Sequence, residues 1–386
     1  MKYVLFGAGY FGREALKEYG KENVICIWDN DVTKKGKSID QTRIIIFEER
    51  EIIDEEFKVI ICTTYYSEVI EQLMCAGIDN YEIYHSIIIR KSYYSPKILV
   101  ENPYDNNCDR DLSENEWLDK NNGSLKRGAI NRKVEQLYKE KHLFHHVEIE
   151  TVNRCNGICS FCPVSVKNEQ RTYAIMEESV FKNIIDQLAE LNYAGRLSIF
   201  SNNEPLLDKR IIEFHKYARG KLPNARMHLY TNGTLLNKEL FLQLVDYLDE
   251  LIVDNYNQEL QLIPASKMII EYAKENPDIK EKVTIVLRKP NEILTSRGGD
   301  APNRTQVNIE KNISCVLPFQ QLIIRPDGKV SLCCNDPLGR STLGDVKEQT
   351  LVDIWYGETF ENVRKAILGG RENYGHCKNC DVFVLD

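Results

Sequence analysis

The chain has no hydrophobic run near the roughly 18 residues of a membrane-spanning helix, and nothing in it resembles a secretory leader. Its first residues, Met1-Lys2-Tyr3-Val4-Leu5-Phe6, pass straight into a glycine turn with no basic segment and no cleavage site. No membrane association is expected, and the expected location is cytoplasmic. A basic block is lacking too: 50 Lys and Arg stand against 58 Asp and Glu, a formal net charge of −8. Nucleic acid would demand a concentrated Lys/Arg surface against its phosphates, so no such partner is expected. Glycine and proline are scarce, at 21 and 12 of 386 residues, and 42% of the chain is hydrophobic, which excludes a collagen-like or disordered polymer. The length allows two or three domains with a substantial core.

Cysteine is not scarce: there are 12. In a reducing compartment disulfides rarely persist, so cysteines that cluster point to metal. Cys26, Cys62, Cys75 and Cys108 are scattered, and the first two sit in apolar strand-like runs where a thiol acts as a small hydrophobe. Cys155, Cys159 and Cys162 share one short loop, and Cys315, Cys333, Cys334, Cys377 and Cys380 fall near the C-terminus.

Pattern divides the chain into residues 1–90, 91–143, 144–300 and 301–386. In the first segment an apolar strand runs into Gly7-Ala8-Gly9-Tyr10-Phe11-Gly12 and a helix, and a second strand ends at Asp29. That is the context in which G-x-G-x-x-G lets backbone approach phosphate while an acidic residue accepts from ribose hydroxyls. The expectation is a Rossmann-like domain, with Gly7, Gly9, Gly12 and Asp29 as nucleotide or nucleotide-sugar contacts. Glycines serving only the turn are an equal alternative. The segment resembles the small Rossmann-like domains of sugar- and polysaccharide-biosynthesis proteins. Residues 91–143 read as a polar linker followed by a helix with Ile130, Val134 and Leu137 on one face. From His146 onward strand and helix patterns alternate, which argues for parallel strands with crossover helices in a partial (β/α)6 TIM-type barrel, its site at the carboxyl ends of the strands.

The loop after the first of those strands reads C-x3-C-x2-C through Cys155, Cys159 and Cys162, with Phe161 before the last cysteine. Three thiolates can hold three irons of a four-iron cube and leave the fourth open to a small molecule, whereas structural zinc closes on four ligands. The loop resembles the hallmark of the radical S-adenosylmethionine (SAM) superfamily. Asn202-Asn203-Glu204-Pro205 is similar to that family's glycine-glycine-glutamate-proline motif. The resemblance implies SAM as cofactor, with Asn203 and Glu204 toward its amino group and Thr231, Asn232 and Asp254 at the ribose and methionine ends. Ordinary turn formation is the alternative for the last three.

Near the C-terminus, Arg325-Pro326-Asp327-Gly328-Lys329-Val330 signals a β-hairpin. With Cys315, Cys333, Cys377 and Cys380 around it, the region resembles the SPASM/twitch domain of radical SAM enzymes in its shorter form. That implies one closed auxiliary [4Fe-4S] cluster beside the open one; a zinc ribbon of the same four thiols is the alternative.

Together with Thr295-Ser296-Arg297-Gly298-Gly299, these spacings resemble the aminocyclitol-oxidising branch of the superfamily. The resemblance implies that a hydrogen atom leaves a hydroxyl-bearing carbon of a sugar-like small molecule. An alcohol then becomes a ketone, and the second electron passes to the auxiliary cluster. A flavodoxin- or ferredoxin-type protein is implied as reductant. Arg297 is implied as the partner of the substrate hydroxyl and as candidate base, although arginine is a poor proton acceptor. Epimerisation with Cys334 as hydrogen donor and peptide modification stay open as alternatives within radical chemistry. Outside it stands a zinc-bound nucleotide-sensing scaffold.

Overall fold

The computed structural model describes residues 2–53, 56–63, 66–84, 99–104, 127–304 and 312–382. It divides into two compact units, residues 1–94 and 95–385. Cys108, expected to be a bystander, lies outside the described residues.

The first unit contains β1 (Lys2–Phe6), β2 (Val24–Asp29), β3 (Ser38–Ile39), β4 (Thr42–Ile46), β5 (Phe57–Ile61) and β6 (Tyr81–Ile83). Five of them run parallel in the order β4-β2-β1-β5-β6, and β3 pairs antiparallel at the β4 edge. Helix α1 (Tyr10–Tyr19) follows the glycine turn, and α2 (Tyr66–Cys75) follows β5. Counted among the parallel strands this is the order 3-2-1-4-5, a Rossmann-type sheet whose strand order reverses at β1. Val4, Leu5, Ile27, Ile60 and Ile61 are fully or almost fully buried, as expected of parallel strands covered on both faces. Cys26 and Cys62 are buried among them. Gly7 has φ +118°, and a Cβ on Gly12 would sit 2.0 Å from the Gly7 carbonyl oxygen, so both are required by the turn and by close strand–helix packing. Gly9 is neither left-handed nor crowded: a Cβ there meets nothing within 4 Å.

Among the described residues, the second unit is organised around nine strands: β7 (Val100–Glu101), β8 (His146–Ile149), β9 (Arg196–Ser198), β10 (Arg226–Thr231), β11 (Glu250–Tyr256), β12 (Val283–Arg288), β13 (Gln321–Ile324), β14 (Lys329–Ser331) and β15 (Thr342–Asp345). Their order is β15-β14-β13-β8-β9-β10-β11-β12-β7. Pairing is parallel from β13 through β7 and antiparallel for β14 and β15. Helices α3 (Arg127–Glu140), α4 (Glu178–Glu190), α5 (Ile211–Lys221), α6 (Lys238–Tyr247) and α7 (Pro264–Glu275) accompany the parallel strands, and α8 (Leu351–Tyr356) and α9 (Glu358–Leu368) follow β15. In α4, Phe181, Ile184, Ile185 and Leu188 repeat at helical spacing and are wholly buried. The Phe181 ring stacks on Phe214 of α5 with centroids 4.1 Å apart. Ile130, Val134 and Leu137 of α3 join the same core.

Two connections position the site. Residues 91–143, read as linker and helix, supply α3 and the edge strand β7. The hairpin turns at Gly328, φ +89°, and its first strand β13 pairs in parallel with β8. The hairpin therefore continues the barrel sheet, and it delivers the Cys333–Cys334 pair to the barrel itself.

Candidate active site

The carboxyl ends of the parallel strands converge, as crossover geometry requires. The loop leaving β8 carries Cys155, Cys159, Phe161 and Cys162; Asn203 and Glu204 follow β9; Thr231 ends β10 with Asn232 next; Asp254 is in β11; Arg297 follows β12. All of them line one cavity of about 510 Å³, and Cys334, beyond β14, lines it too.

Each element is held by identifiable contacts. Arg171 bonds Glu150 Oε1 and Glu169 Oε2, both at 2.8 Å, and donates to the carbonyls of Asn153 and Asn202, each at 3.0 Å. One guanidinium thus fixes the β8 and β9 loops together. The Phe161 ring lies 6.1 Å from that of Tyr256, bracing the cysteine loop against β11. Glu204 Oε1 accepts the Thr231 hydroxyl at 2.7 Å and the Leu206 N–H at 3.1 Å, and Oε2 accepts the Asn232 N–H at 2.8 Å. Burial raises its carboxyl above the usual range against those bonds. Asp254 is likewise pushed up to about 6 by burial, with Arg288 pulling the other way.

The Asn232 side chain faces the cysteine loop, donating to Asn156 Oδ1 at 2.7 Å and accepting the Thr234 N–H at 2.9 Å. Arg297 has φ +51° and is followed by Gly298 and Gly299 at +68° and +93°, a left-handed run of the kind stored at functional sites. Its guanidinium donates to Asn202 Oδ1. The Ser296 N–H bonds Asp381 Oδ1 at 2.7 Å, and the Ser296 hydroxyl bonds the Asn379 carbonyl at 2.8 Å, so this turn rests on the C-terminal cysteine segment.

The donor set fits an open cluster with SAM. Cys155, Cys159 and Cys162 are close enough to perturb one another, and burial pushes the free thiols of Cys155 and Cys159 up to about 11 and about 12, so iron binding must displace their protons. Asn203 Nδ2 is buried with no partner among the described residues, and Glu204 retains acceptor capacity for an ammonium. Cys315, Cys333, Cys377 and Cys380 likewise converge. Arg371, 1% exposed, donates to the carbonyls of Cys380 at 3.0 Å, Val382 at 2.7 Å and Ser314 at 2.9 Å, tying both ends of that set together. Among the described residues, no three His, Cys, Asp or Glu side chains are arranged to hold one metal ion.

In the first unit, Asp29 Oδ2 accepts the Ala8 N–H at 2.6 Å and Lys34 Nζ at 3.0 Å, and Oδ1 accepts the Asp31 N–H at 2.8 Å. Its carboxylate clamps the glycine turn that carries Gly7, Gly9 and Gly12. None of these four lines the cavity described above.

Sequence reasoning passed over the cavity floor. There His146 Nε2 lies 3.1 Å from Ser198 Oγ, Ser198 Oγ lies 3.0 Å from His228 Nδ1, and Gln321 Nε2 bonds His146 Nδ1 at 2.9 Å. Arg196 and Glu148 complete it. Burial drives both imidazoles well below their ordinary range, so they stay neutral. The signal was the polar alternation of His146, Glu148 and Glu150 with Val147 and Ile149.

Comparison with known proteins agrees with this geometry. Residues 149–263 match the family model of the radical SAM superfamily, and residues 315–381 match SPASM, an iron–sulfur cluster-binding domain. The chain is 30% identical over 240 residues to the S-adenosyl-L-methionine-dependent 2-deoxy-scyllo-inosamine dehydrogenase of Niallia circulans, covering 62% of this chain and 93% of that protein. An uncharacterised protein of Methanocaldococcus jannaschii is 35% identical over 107 residues, covering 26% of this chain and 30% of that one. Among solved structures, BtrN in complex with AdoMet and 2-DOIA aligns at 30% identity with a TM-score of 0.54, over 62% of this chain and 94% of the other. Three cysteines at the barrel mouth, four more gathered around a hairpin and these matches together make the chain a member of the radical SAM superfamily carrying a C-terminal SPASM iron–sulfur domain.

Proposed function

We propose that the protein oxidises a secondary alcohol of a sugar-like or aminocyclitol-like small molecule to a ketone. The observation that carries this reading is the cavity itself, in which the open three-cysteine loop, Arg297 and the C-terminal Cys334 segment face one volume. When bound, SAM with the Cys155–Cys159–Cys162 cluster supplies a radical that removes a carbon-bound hydrogen, and the cluster of Cys315, Cys333, Cys377 and Cys380 takes up an electron. Glu204 and Asn203 hold the SAM amino group, with Thr231 and Asp254 along the rest of the molecule. Arg297, released from Asn202, holds the substrate oxygen by charge-assisted hydrogen bonds. The reductant is a flavodoxin- or ferredoxin-type protein.

A second reading, epimerisation, rests on Cys334 lining the same cavity. Its thiol hydrogen would return to the opposite face of the carbon. One experiment separates the two. The anaerobically reconstituted protein is given SAM, reductant and a panel of cyclitols, aminocyclitols and sugars. Oxidation gives a product two mass units lighter that traps with a hydrazine. Epimerisation gives unchanged mass and solvent-derived hydrogen at one carbon. Neither product from any member of the panel would contradict both readings.

The Arg297 turn yields a sharper expectation. A Cβ on Gly298 would sit 2.7 Å from the Asn335 carbonyl oxygen and 2.8 Å from His376 Cδ2, at a φ that alanine rarely adopts. Gly298→Ala is expected to cost about 2–4 kcal/mol and to displace Arg297. Ketone formation should fall more than about tenfold while SAM still binds, as measured by thermal unfolding, SAM titration and product assay.

A further inference from the structure

Turning an alcohol into a ketone removes two hydrogens, one from carbon and one from oxygen. The radical accounts for the first. The second needs a base, and a guanidinium has no lone pair to offer. Resting on the alcohol-oxidation reading, we propose that Glu148 is this base, taking the hydroxyl proton while Arg297 holds the oxygen.

Geometry separates Glu148 from the other titratable groups of the cavity. Glu204 already accepts three donors and is the carboxylate placed at the SAM amino group. Asp254 lies toward Arg288, Glu292 and the Cys159 loop. His146 and His228 are bound to Gln321, Ser198 and Arg196. Glu148, third residue of β8, lines the cavity with a side chain only 8% exposed. Its Oε2 accepts the Ser201 hydroxyl at 2.6 Å. Its Oε1 stands 3.5 Å from His146 Nε2, a long contact that leaves this oxygen for a substrate proton. Ser201 Oγ in turn accepts the Asn202 amide at 3.3 Å, and Asn202 Oδ1 accepts the Arg297 guanidinium, so two side chains join Glu148 to Arg297 along the wall of one cavity, which Cys334 also lines.

The surroundings suit the role. From β8, neutral His146 takes the Gln321 amide N–H at Nδ1 and so turns its Nε2–H toward Ser198 Oγ, while the Ser201 hydroxyl on Oε2 holds the Glu148 carboxylate. Arg196 faces it from β9, Ser201 from the loop after β9, Arg297 from beyond β12 and Cys334 from beyond β14. Burial lifts the carboxyl above its ordinary range, and the Ser201 hydroxyl, Arg196 and Arg297 oppose the lift. A base so tuned accepts a proton more readily than an ordinary carboxylate.

The step balances. The C–H bond breaks homolytically and its hydrogen atom goes to the radical derived from SAM. The O–H bond breaks and its proton goes to Glu148. The one electron left over goes to the oxidised C-terminal iron–sulfur cluster as C=O forms.

Glu148→Gln keeps the shape and can still accept the Ser201 hydroxyl. With iron content matching wild type, the variant should still transfer deuterium from the carbinol carbon to 5′-deoxyadenosine. Ketone formed per 5′-deoxyadenosine should fall about 100-fold or more. In wild type, ketone formation should rise with pH as Glu148 ionises. Ser201→Ala removes a bond that favours the charged form and should move that limb to higher pH. Infrared difference spectra of the unreduced holoenzyme against Glu148→Gln should show one carboxyl band titrating on the same limb. A wild-type ketone yield from Glu148→Gln would overturn the role. So would a variant that loses substrate affinity but keeps the ketone ratio, since Glu148 would then bind the substrate rather than take its proton. Wild-type protein that cleaves SAM with substrate yet forms no ketone would instead overturn the alcohol-oxidation reading.

Discussion

Replacing Cys155, Cys159 and Cys162 together by alanine should remove about four of about eight irons per chain and abolish SAM cleavage, a loss exceeding about 1,000-fold. The loss should be complete because all three thiolates that would hold the open cluster are removed. The loop is pinned from within, by the Ser160 N–H to the Pro290 carbonyl at 2.9 Å and the Val166 N–H to the Gly157 carbonyl at 2.9 Å, so its three thiols are placed as one set. Fold should survive, since Cys155 and Cys162 are only partly buried and Cys159 lies at the cavity wall. Iron and sulfide analysis, SAM-cleavage assay and circular dichroism check the three parts. Residual cleavage at a tenth of wild type would contradict the assignment of these thiols.

The second large effect separates hydrogen removal from electron removal. Cys377→Ala with Cys380→Ala should again cost about four irons but leave the SAM-binding loop intact. SAM cleavage should persist while ketone per 5′-deoxyadenosine falls at least about 100-fold, because the substrate-derived electron loses its acceptor. A stability cost should accompany it. Both side chains are 8% exposed, Arg371 donates to the Cys380 carbonyl, and the Asn379 carbonyl anchors Ser296 beneath Arg297. A drop in melting temperature of several degrees is expected from losing buried metal ligation. Full ketone yield without the C-terminal iron would contradict an electron-accepting role there.

Much of this was legible because metal ligation concentrates chemistry in short spacings. The cysteine loop, the Asn203–Glu204 turn and the Asp327–Gly328 hairpin are local features, and a reader of sequence sees local features well. Longer-range relations were not visible. Nothing in Gln321–Ile324 says that this strand pairs in parallel with His146–Ile149, yet that pairing carries Cys334 to the cavity. The polar floor was hidden for a related reason. Alternating His146, Val147, Glu148 and Ile149 reads equally as a half-solvated strand; only a sheet covered on both faces makes the polar positions point inward. In the first unit the glycine pattern was plain, but the carboxylate of Asp29 is spent on the turn itself through Ala8, Asp31 and Lys34.

The most direct test places deuterium on the carbinol carbon of a substrate that the protein converts to a ketone, and follows it by mass spectrometry. One deuterium in 5′-deoxyadenosine for each ketone formed is the expected result. Ketone formed with no deuterium in 5′-deoxyadenosine would contradict radical oxidation of the alcohol at this cavity.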